Sequence, residues 1–223
     1  MTTTPMTPTT TARPVTTGST IDHFESIYVE AGDDEQNLPW HRRGPSPALI
    51  NWLNVAAPRL IRCGARVAVV GCGLGADARE ARRRGYEVVA FDCSPTAVRW
   101  AQRLDPSHAE GYHQADLFDP PPRWVHRFDL VIEINTIQAL QPDRRQEAMV
   151  ALSRLMAPHG HMLMICRGAD RSAVIADGPP WPLTEAELRE VIAGAGLVDE
   201  SLCSFEDDED PPVRRMRGVF HRG

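Results

Sequence analysis

The sequence predicts a doubly wound α/β domain whose seven-stranded sheet is mostly parallel and carries an antiparallel edge strand. Three observations lead there. Short β-branched runs alternate with amphipathic helical stretches through most of the chain. The first run, Arg66 to Val70, stops at the glycine turn Gly71-Cys72-Gly73-Leu74-Gly75, which opens a helix. The last two runs are joined by an acidic turn with no helix between them, so they pair antiparallel.

The chain has 223 residues, enough for one domain with a full core and too few for two. Residues 1–20, rich in Thr and Pro, read as a disordered tail, and residues 21–223 as a single domain with an N-terminal lid over 21–43. Ile21 to Val29 fits a short helix, followed by a loop carrying Pro39-Trp40-His41-Arg42-Arg43. Ser46 and Pro47 open the next helix, whose stripe of Leu49, Ile50, Leu53 and Ala56 ends before Pro58. After the glycine turn a helix runs over Ala76 to Arg84, and Glu87 to Phe91 is the second strand with Asp92 at its carboxyl end. Ser94-Pro95 then starts a helix that reaches Leu104.

A third strand within Glu110 to Asp119 leads into Asp116-Leu117-Phe118-Asp119, and Phe128 to Ile134 is the clearest buried strand. Asp143 with Gln146 resembles a capping box before a helix that stops at Pro158; His161 to Ile165 is the fifth strand. Thr184 with Glu187 forms a second capping box, with Leu183 and Leu188 as its hydrophobic staple. Leu197 to Phe205 and Val213 to His221 are the closing pair, and the acidic run 206 to 210 between them reads as a solvated turn.

Composition removes several classes of function. The formal net charge of -6 provides no basic field for a phosphate backbone, so nucleic acid is not expected as a partner. No run approaches the ~18 apolar residues of a membrane helix, and the first twenty residues lack the basic and apolar segments of a signal peptide. All the basic residues are Arg, which rules out a Lys Schiff base. The five Cys are odd in number and never spaced C-x-x-C, so neither a disulfide framework nor a metal site is expected. A cytoplasmic monomer or homodimer acting on a small molecule fits these exclusions.

In an open α/β sheet, ligands bind outside the carboxyl ends of the strands, at the switch point beside the first strand. Gly71, Gly73 and Gly75 stand there, where glycine lets the backbone turn tightly and approach a ligand. Asp92 lies about 20 residues beyond Gly71, the spacing at which an acid grips ribose hydroxyls. The glycine pattern also fits a dinucleotide site, so an NAD(P)-dependent oxidoreductase is an alternative. Asp116-Leu117-Phe118 after the third strand can meet an adenine, and the later elements complete the same sheet without a second catalytic domain.

These segments resemble the class I S-adenosylmethionine-dependent methyltransferases, a Rossmann-like superfamily, over about residues 40 to 221. VAVVGCGLG resembles their first motif, FDCSPTAV the second-strand motif, QADLFD the adenine-contact motif, and FDLVIEI with LMAPHGHMLMI their fourth and fifth strands. The resemblance implies S-adenosylmethionine as cofactor, with Gly71, Gly73, Asp92 and Asp116 as contacts; Cys72, Asp77, Cys93, Leu117 and Glu133 complete the expected set. Val69 stands where many members carry an acid. Leu38-Pro39-Trp40-His41 and Gly178-Pro179-Pro180-Trp181-Pro182 are most similar to the thiopurine and thiol methyltransferase branch, which makes Trp40 a cofactor-covering residue. That branch often has an acid where this chain has His41.

Methyl transfer is an in-line displacement, and alignment alone can supply about 7–11 kcal/mol of barrier reduction. A thiol acceptor needs little or no base, whereas a phenol or amine usually wants one. His41 and Asn135 are the candidate catalytic groups, the first by its titration range and the second by its place after the fourth strand. Arg42, Gln138 and Trp181 are the candidate acceptor contacts. The expected activity is S-methylation of a small molecule in detoxification or secondary metabolism, with O- or N-methylation of a natural product or heterocycle as the alternative. A protein that binds the cofactor without transfer is the third.

Overall fold

The structure, a computed structural model, describes residues 17–170 and 178–222. Seven strands form one sheet: β1 (Arg66–Val70), β2 (Glu87–Asp92), β3 (Tyr112–Gln114), β4 (Phe128–Ile134), β5 (Met156–Arg167), β6 (Leu197–Glu206) and β7 (Arg214–Arg222). Their order is β3-β2-β1-β4-β5-β7-β6, with β1 to β5 parallel and β7 antiparallel to both of its neighbours. The order reverses between β1 and β4, which opens the crevice at their carboxyl ends. The antiparallel edge is a hairpin. A crossover helix sets β6 parallel to β5 one strand-width away, and β7 folds back into the gap.

The helices are α1 (Thr17–Ala31), α2 (Pro47–Val55), α3 (Ala57–Leu60), α4 (Ala76–Arg83), α5 (Pro95–Leu104), α6 (Arg145–Leu155) and α7 (Glu185–Gly194). Alternate strand residues face opposite layers. Val67, Val69, Leu130 and Ile132 pack with Leu49 and Trp52 of α2, Ala78 and Ala81 of α4, and Val98 of α5. Ala68, Val70 and Val131 pack with Met149 and Leu152 of α6 and Leu188 and Ile192 of α7. Each large aliphatic side chain so buried contributes about 1.5–3 kcal/mol. A third cluster, Tyr28, Ala31 and Leu38 with Ala97 and Trp100 of α5, docks α1 at the cavity end of the sheet.

Thr184 and Glu187 form the expected capping box, and Leu183 and Leu188 are fully buried beneath it. Elsewhere tertiary contacts redirect local signals. α1 begins at Thr17, inside the stretch read as tail; residues 1–16 lie outside the described residues. The Ser46 side chain makes no cap, and its N–H donates instead to the Asp77 carboxylate at 2.7 Å. Pro58 does not end the helical path, because it sits in the first turn of α3, where no amide donor is needed. Asp143 and Gln146 make no capping box: Pro142–Arg144 is a 3-10 turn, and Gln146 reaches across to the Val191 carbonyl of α7. β5 starts at Met156, earlier than expected, because a register shift opposite Phe128 and Leu130 absorbs Pro158.

Candidate active site

A cavity of about 1390 Å³ lies over the carboxyl ends of β1, β2, β4 and β5. Ligand pockets commonly hold about 300–1,000 Å³, so there is room for two ligands side by side. One end is built from the glycine turn, the other from the ends of β4, β5 and β7.

At the glycine end the backbone does the shaping. Gly71 has φ +59°, and a Cβ there would lie 2.3 Å from Thr136 Oγ1, so the end of β1 touches the turn after β4. Gly75 has φ +79°, and a Cβ would lie 2.6 Å from the ring of Tyr112. The Gly73 N–H donates to Asp92 Oδ2 at 2.9 Å and the Ser94 N–H to Oδ1 at 3.0 Å. Burial pushes the Asp92 carboxyl above its usual value against these bonds. The thiol and N–H of Cys93 also bond to this carboxyl, which lines the cavity. Asp116 accepts the Phe118 N–H at 2.9 Å, a turn that sets Leu117 and Phe118 on the wall.

Cys72 and Cys93 also line this end, but burial and the Asp92 charge raise both thiols, which makes them packing groups rather than nucleophiles. Asp77, in the first turn of α4, accepts from Arg42 Nη2 at 3.3 Å as well as from Ser46. Burial raises its carboxyl, and Arg42 opposes the shift. Arg42, expected at the acceptor, therefore lines the cavity as a clamp between the lid loop and α4.

The lid itself contains residues that the motif reading missed. Trp40 stacks edge-on against Phe24 and Tyr28, with centroids at 6.0 and 5.6 Å. Glu25 ties α1 to α5 by accepting Ser94 Oγ at 2.6 Å, Thr96 Oγ1 at 2.6 Å and the Thr96 N–H at 3.1 Å. Phe24 and Tyr28 stand one helical turn apart, a spacing that marks one apolar face and was the available signal. Pro179 and Pro180 also line the cavity, while residues 171–177 of the loop before them lie outside the described residues.

Asn135 and Gln138 line the cavity at the other end, and His41 lines it from the lid loop. The His41 N–H donates to the Leu38 carbonyl at 2.9 Å. Gln138 is buried, accepts the Arg167 N–H through Oε1, and accepts the Trp181 N–H through its carbonyl at 2.7 Å. Two expectations are corrected. Glu133 is fully buried behind the wall, where Oε1 accepts the N–H groups of Thr136 and Ile137 at 2.5 and 2.9 Å. It holds the turn after β4, and burial pushes its carboxyl up to about 7. Trp181 is not among the described residues of the wall: its N–H goes to Gln138 and its carbonyl to Arg145, and the preceding prolines face the cavity instead.

The acidic turn is solvated at Glu206, Asp208, Glu209 and Asp210, which are exposed, and it also borders the cavity mouth, where arginines on β5 and β7 hold Asp207 and Glu209. Asp207 pairs with Arg215 at 2.5 Å, and Glu209 pairs with both Arg215 and Arg167. Arg215 also donates to Asn135 Oδ1 at 3.1 Å. Arg217, two positions on and so on the same face of β7, donates to Asn51 Oδ1 at 3.0 Å.

The model of the thiopurine S-methyltransferase family matches residues 33–221. The chain belongs to that family. Relatives at low identity widen the setting. The chain is 25% identical over 186 residues to the 2-heptyl-1-hydroxyquinolin-4(1H)-one methyltransferase of Mycobacteroides abscessus, covering 80% of this chain and 78% of that one. It is 24% identical over 172 residues to a probable thiol methyltransferase of Arabidopsis thaliana, covering 75% and 72%. Among solved structures, the 1,6-didemethyltoxoflavin-N1-methyltransferase of Burkholderia thailandensis, bound to 1,6-didemethyltoxoflavin and S-adenosylhomocysteine, shares the fold with a TM-score of 0.71 at 18% identity. That match covers 97% of this chain and 93% of that one.

This thiopurine S-methyltransferase family member is an S-adenosylmethionine-dependent enzyme of small-molecule methylation with a Rossmann-like sheet. The residues present fit that cofactor. Asp92 places a carboxylate at the cavity wall at the end of β2, Leu117 and Phe118 form an apolar wall beside it, and the first-turn residues Ala76 and Asp77 bring the amino-terminal end of α4 to the same cavity. Among the described residues, no helix is long and apolar enough to cross a membrane.

Proposed function

We propose that the acceptor is a small-molecule thiol, methylated on sulfur in the cytoplasm by a monomeric or homodimeric enzyme of detoxification or secondary metabolism. When bound, S-adenosylmethionine supplies a methyl carbon already activated by its sulfonium. Gly71, Gly73, Asp92, Asp116 and Leu117 hold the cofactor, Trp40 and Tyr28 cover it, and His41, Asn135 and Gln138 face the acceptor.

The reading rests on one observation. The arginine-facing carboxylates at the acceptor end, partly buried Asp207 and exposed Glu209, are both engaged by arginine. Burial alone would raise Asp207, but its bonds from Arg215 and from the Val213 and Glu209 N–H groups hold the carboxyl below its usual value. A carboxylate so held is a poor base, which suits an acceptor that ionises unaided. An unperturbed thiol, at about pKa 8.5, does so near neutral pH, and an alcohol does not. The family description and the Arabidopsis relative, each named for transfer to sulfur, point the same way.

Incubation with S-adenosylmethionine and, separately, thiophenol, phenol and a heterocyclic amine, with the product mass and site of methylation determined, tests the proposal. Thioanisole should be the fastest product. Methylation confined to oxygen or nitrogen rejects the thiol assignment.

A further inference from the structure

We infer that Arg215 is a positioning residue that turns Asn135 into a one-way hydrogen-bond donor, so that the acceptor site selects molecules that bind as anions. The inference rests on the methyltransferase reading of the cavity and deepens it from an acceptor element to an acceptor charge.

An asparagine amide normally offers both an acceptor oxygen and a donor nitrogen, and which end meets a ligand is undetermined by the side chain alone. Here it is determined. Arg215 Nη1 donates to Asn135 Oδ1 at 3.1 Å, and a guanidinium can only donate, so the oxygen must face the arginine. The donor end of the amide is then the part left for the cavity, which Asn135 lines. The backbone cannot swing away. Asn135 has φ +66°, a left-handed conformation that asparagine tolerates, and its N–H is held by the Ile165 carbonyl at 2.9 Å.

Arg215 is fixed in turn. It stands on β7 between Arg167 of β5 and Phe205 of β6, and all three prongs of its fork are used. Nε donates to Asp207, Nη1 to Asn135 and Nη2 to Glu209. The side chain is only 12% exposed, so these contacts act with little water around them. No other contact in the cavity joins the ends of β4 and β7 through a polar side chain in this way among the described residues.

The charges facing this end favour an anion. Arg215, Arg167 and Arg217 converge on the strand ends, and the carboxylates that meet them are Asp207 and Glu209, which leaves a positive balance. Glu206, Asp208 and Asp210 also line the mouth, but they are exposed and screened by water and salt. From the lid, the exposed acid Glu35 is outnumbered by Arg42 and Arg43, and Asp77 is matched by Arg42. A donor backed by a buried guanidinium stabilises a thiolate or phenolate and offers nothing to a protonated amine.

The test uses the enzyme complexed with S-adenosylhomocysteine, which binds without turnover, and two probes whose ionised forms absorb differently from their neutral forms: thiophenol and 4-nitrophenol. In the wild type each bound probe should ionise at least about one pH unit lower than when free, a tenfold preference for the anion. Asn135→Asp keeps an oxygen for Arg215 and removes the donor, so it should erase the shift while S-adenosylhomocysteine affinity stays within about twofold, as read by calorimetry. Arg215→Lys, which keeps the charge but loses the fork, should reduce the shift partly. Absence of a shift in the wild type, or an unchanged shift in Asn135→Asp, overturns the inference. Methylation of 4-nitrophenol but not thiophenol, with the shift intact, instead removes the thiol reading and leaves anion selection standing.

Discussion

Around β1 and β2 the hydrogen bonds to the Asp92 carboxylate join near neighbours in the chain: Ser94 reaches Asp92 two positions away, and Gly73 reaches the same carboxylate 19 positions away. Around β4 and β7 the equivalent contact, Arg215 to Asn135, spans 80 positions, and Arg167 to Glu209 spans 42. The cofactor end is a backbone device, made of amides and positive-φ glycines. The acceptor end is a charge device, assembled from arginines on two strands and acids in a turn. Backbone devices tolerate little substitution and shape a constant ligand, whereas a charge device can be rewired by single substitutions without disturbing the sheet. That division suits an enzyme family in which the cofactor stays the same and the acceptor changes.

Four experiments break or sharpen this contrast. The largest effect is expected at the cofactor end from Gly75→Ala, which combines a strained φ of +79° with a Cβ 2.6 Å from the buried Tyr112 ring. It should cost about 3 kcal/mol of stability, the sum of backbone strain and overpacking, measured by urea unfolding. A loss below about 0.5 kcal/mol, the range of ordinary surface substitutions, would show the turn to be plastic.

Asp92→Ala comes next. Because its carboxylate satisfies two backbone amides, the ligand-free protein should lose about 2 kcal/mol, and S-adenosylhomocysteine affinity should fall tenfold or more. Calorimetry together with thermal melts separates the two effects. Unchanged affinity in a destabilised protein would make Asp92 a purely structural clamp.

Glu133 lies where the two ends meet, and its pKa gives a pH signature. Its folded value of about 7 stands above the ordinary 4.5, so the folded state holds a proton that the unfolded state has lost. Stability from this group is full below pH 4.5 and falls as pH rises through about 7. Glu133→Gln keeps the acceptor for Thr136 and Ile137 without the charge. It should therefore flatten that fall and raise stability at pH 8 by about 1–2 kcal/mol. Melts at pH 5 and pH 8 that shift in parallel with the wild type would place the Glu133 pKa near its ordinary value.

The smallest effect is expected in the lid. Trp40 is 43% exposed, and its two edge contacts, to Phe24 and Tyr28, are worth about 0.5–1.5 kcal/mol each at most. Trp40→Ala should weaken S-adenosylhomocysteine binding by about threefold to tenfold and slow turnover, with unfolding little changed. Equal binding and turnover would leave Phe24 and Tyr28 as the effective cover.

Legibility in the sequence followed the same division. β1 over Arg66–Val70 and β4 over Phe128–Ile134 match the expected runs residue for residue, and Thr184 caps α7 as its spacing with Glu187 requires. Gly71, Gly73 and Asp92 meet at the cavity because a strand, a tight turn and a helix leave them no other place. Glu133 and Trp181 take places other than the expected ones for a shared reason. Each sits beside the cavity in sequence, yet hydrogen bonds to a following turn or to a distant helix decide which neighbour faces inward.

What the sequence by itself determined is therefore the sheet up to β5, the glycine turn and the cofactor class, since backbone conformation and burial periodicity are local properties written residue by residue. Only the tertiary structure decided that β7 enters between β5 and β6, that Glu206 to Asp210 close over the cavity, and that Arg215 meets Asn135. An arginine or an acid looks alike in any exposed stretch of sequence. Its partner is set by which segments the topology brings within a few ångströms, where loss of water strengthens the charge contact.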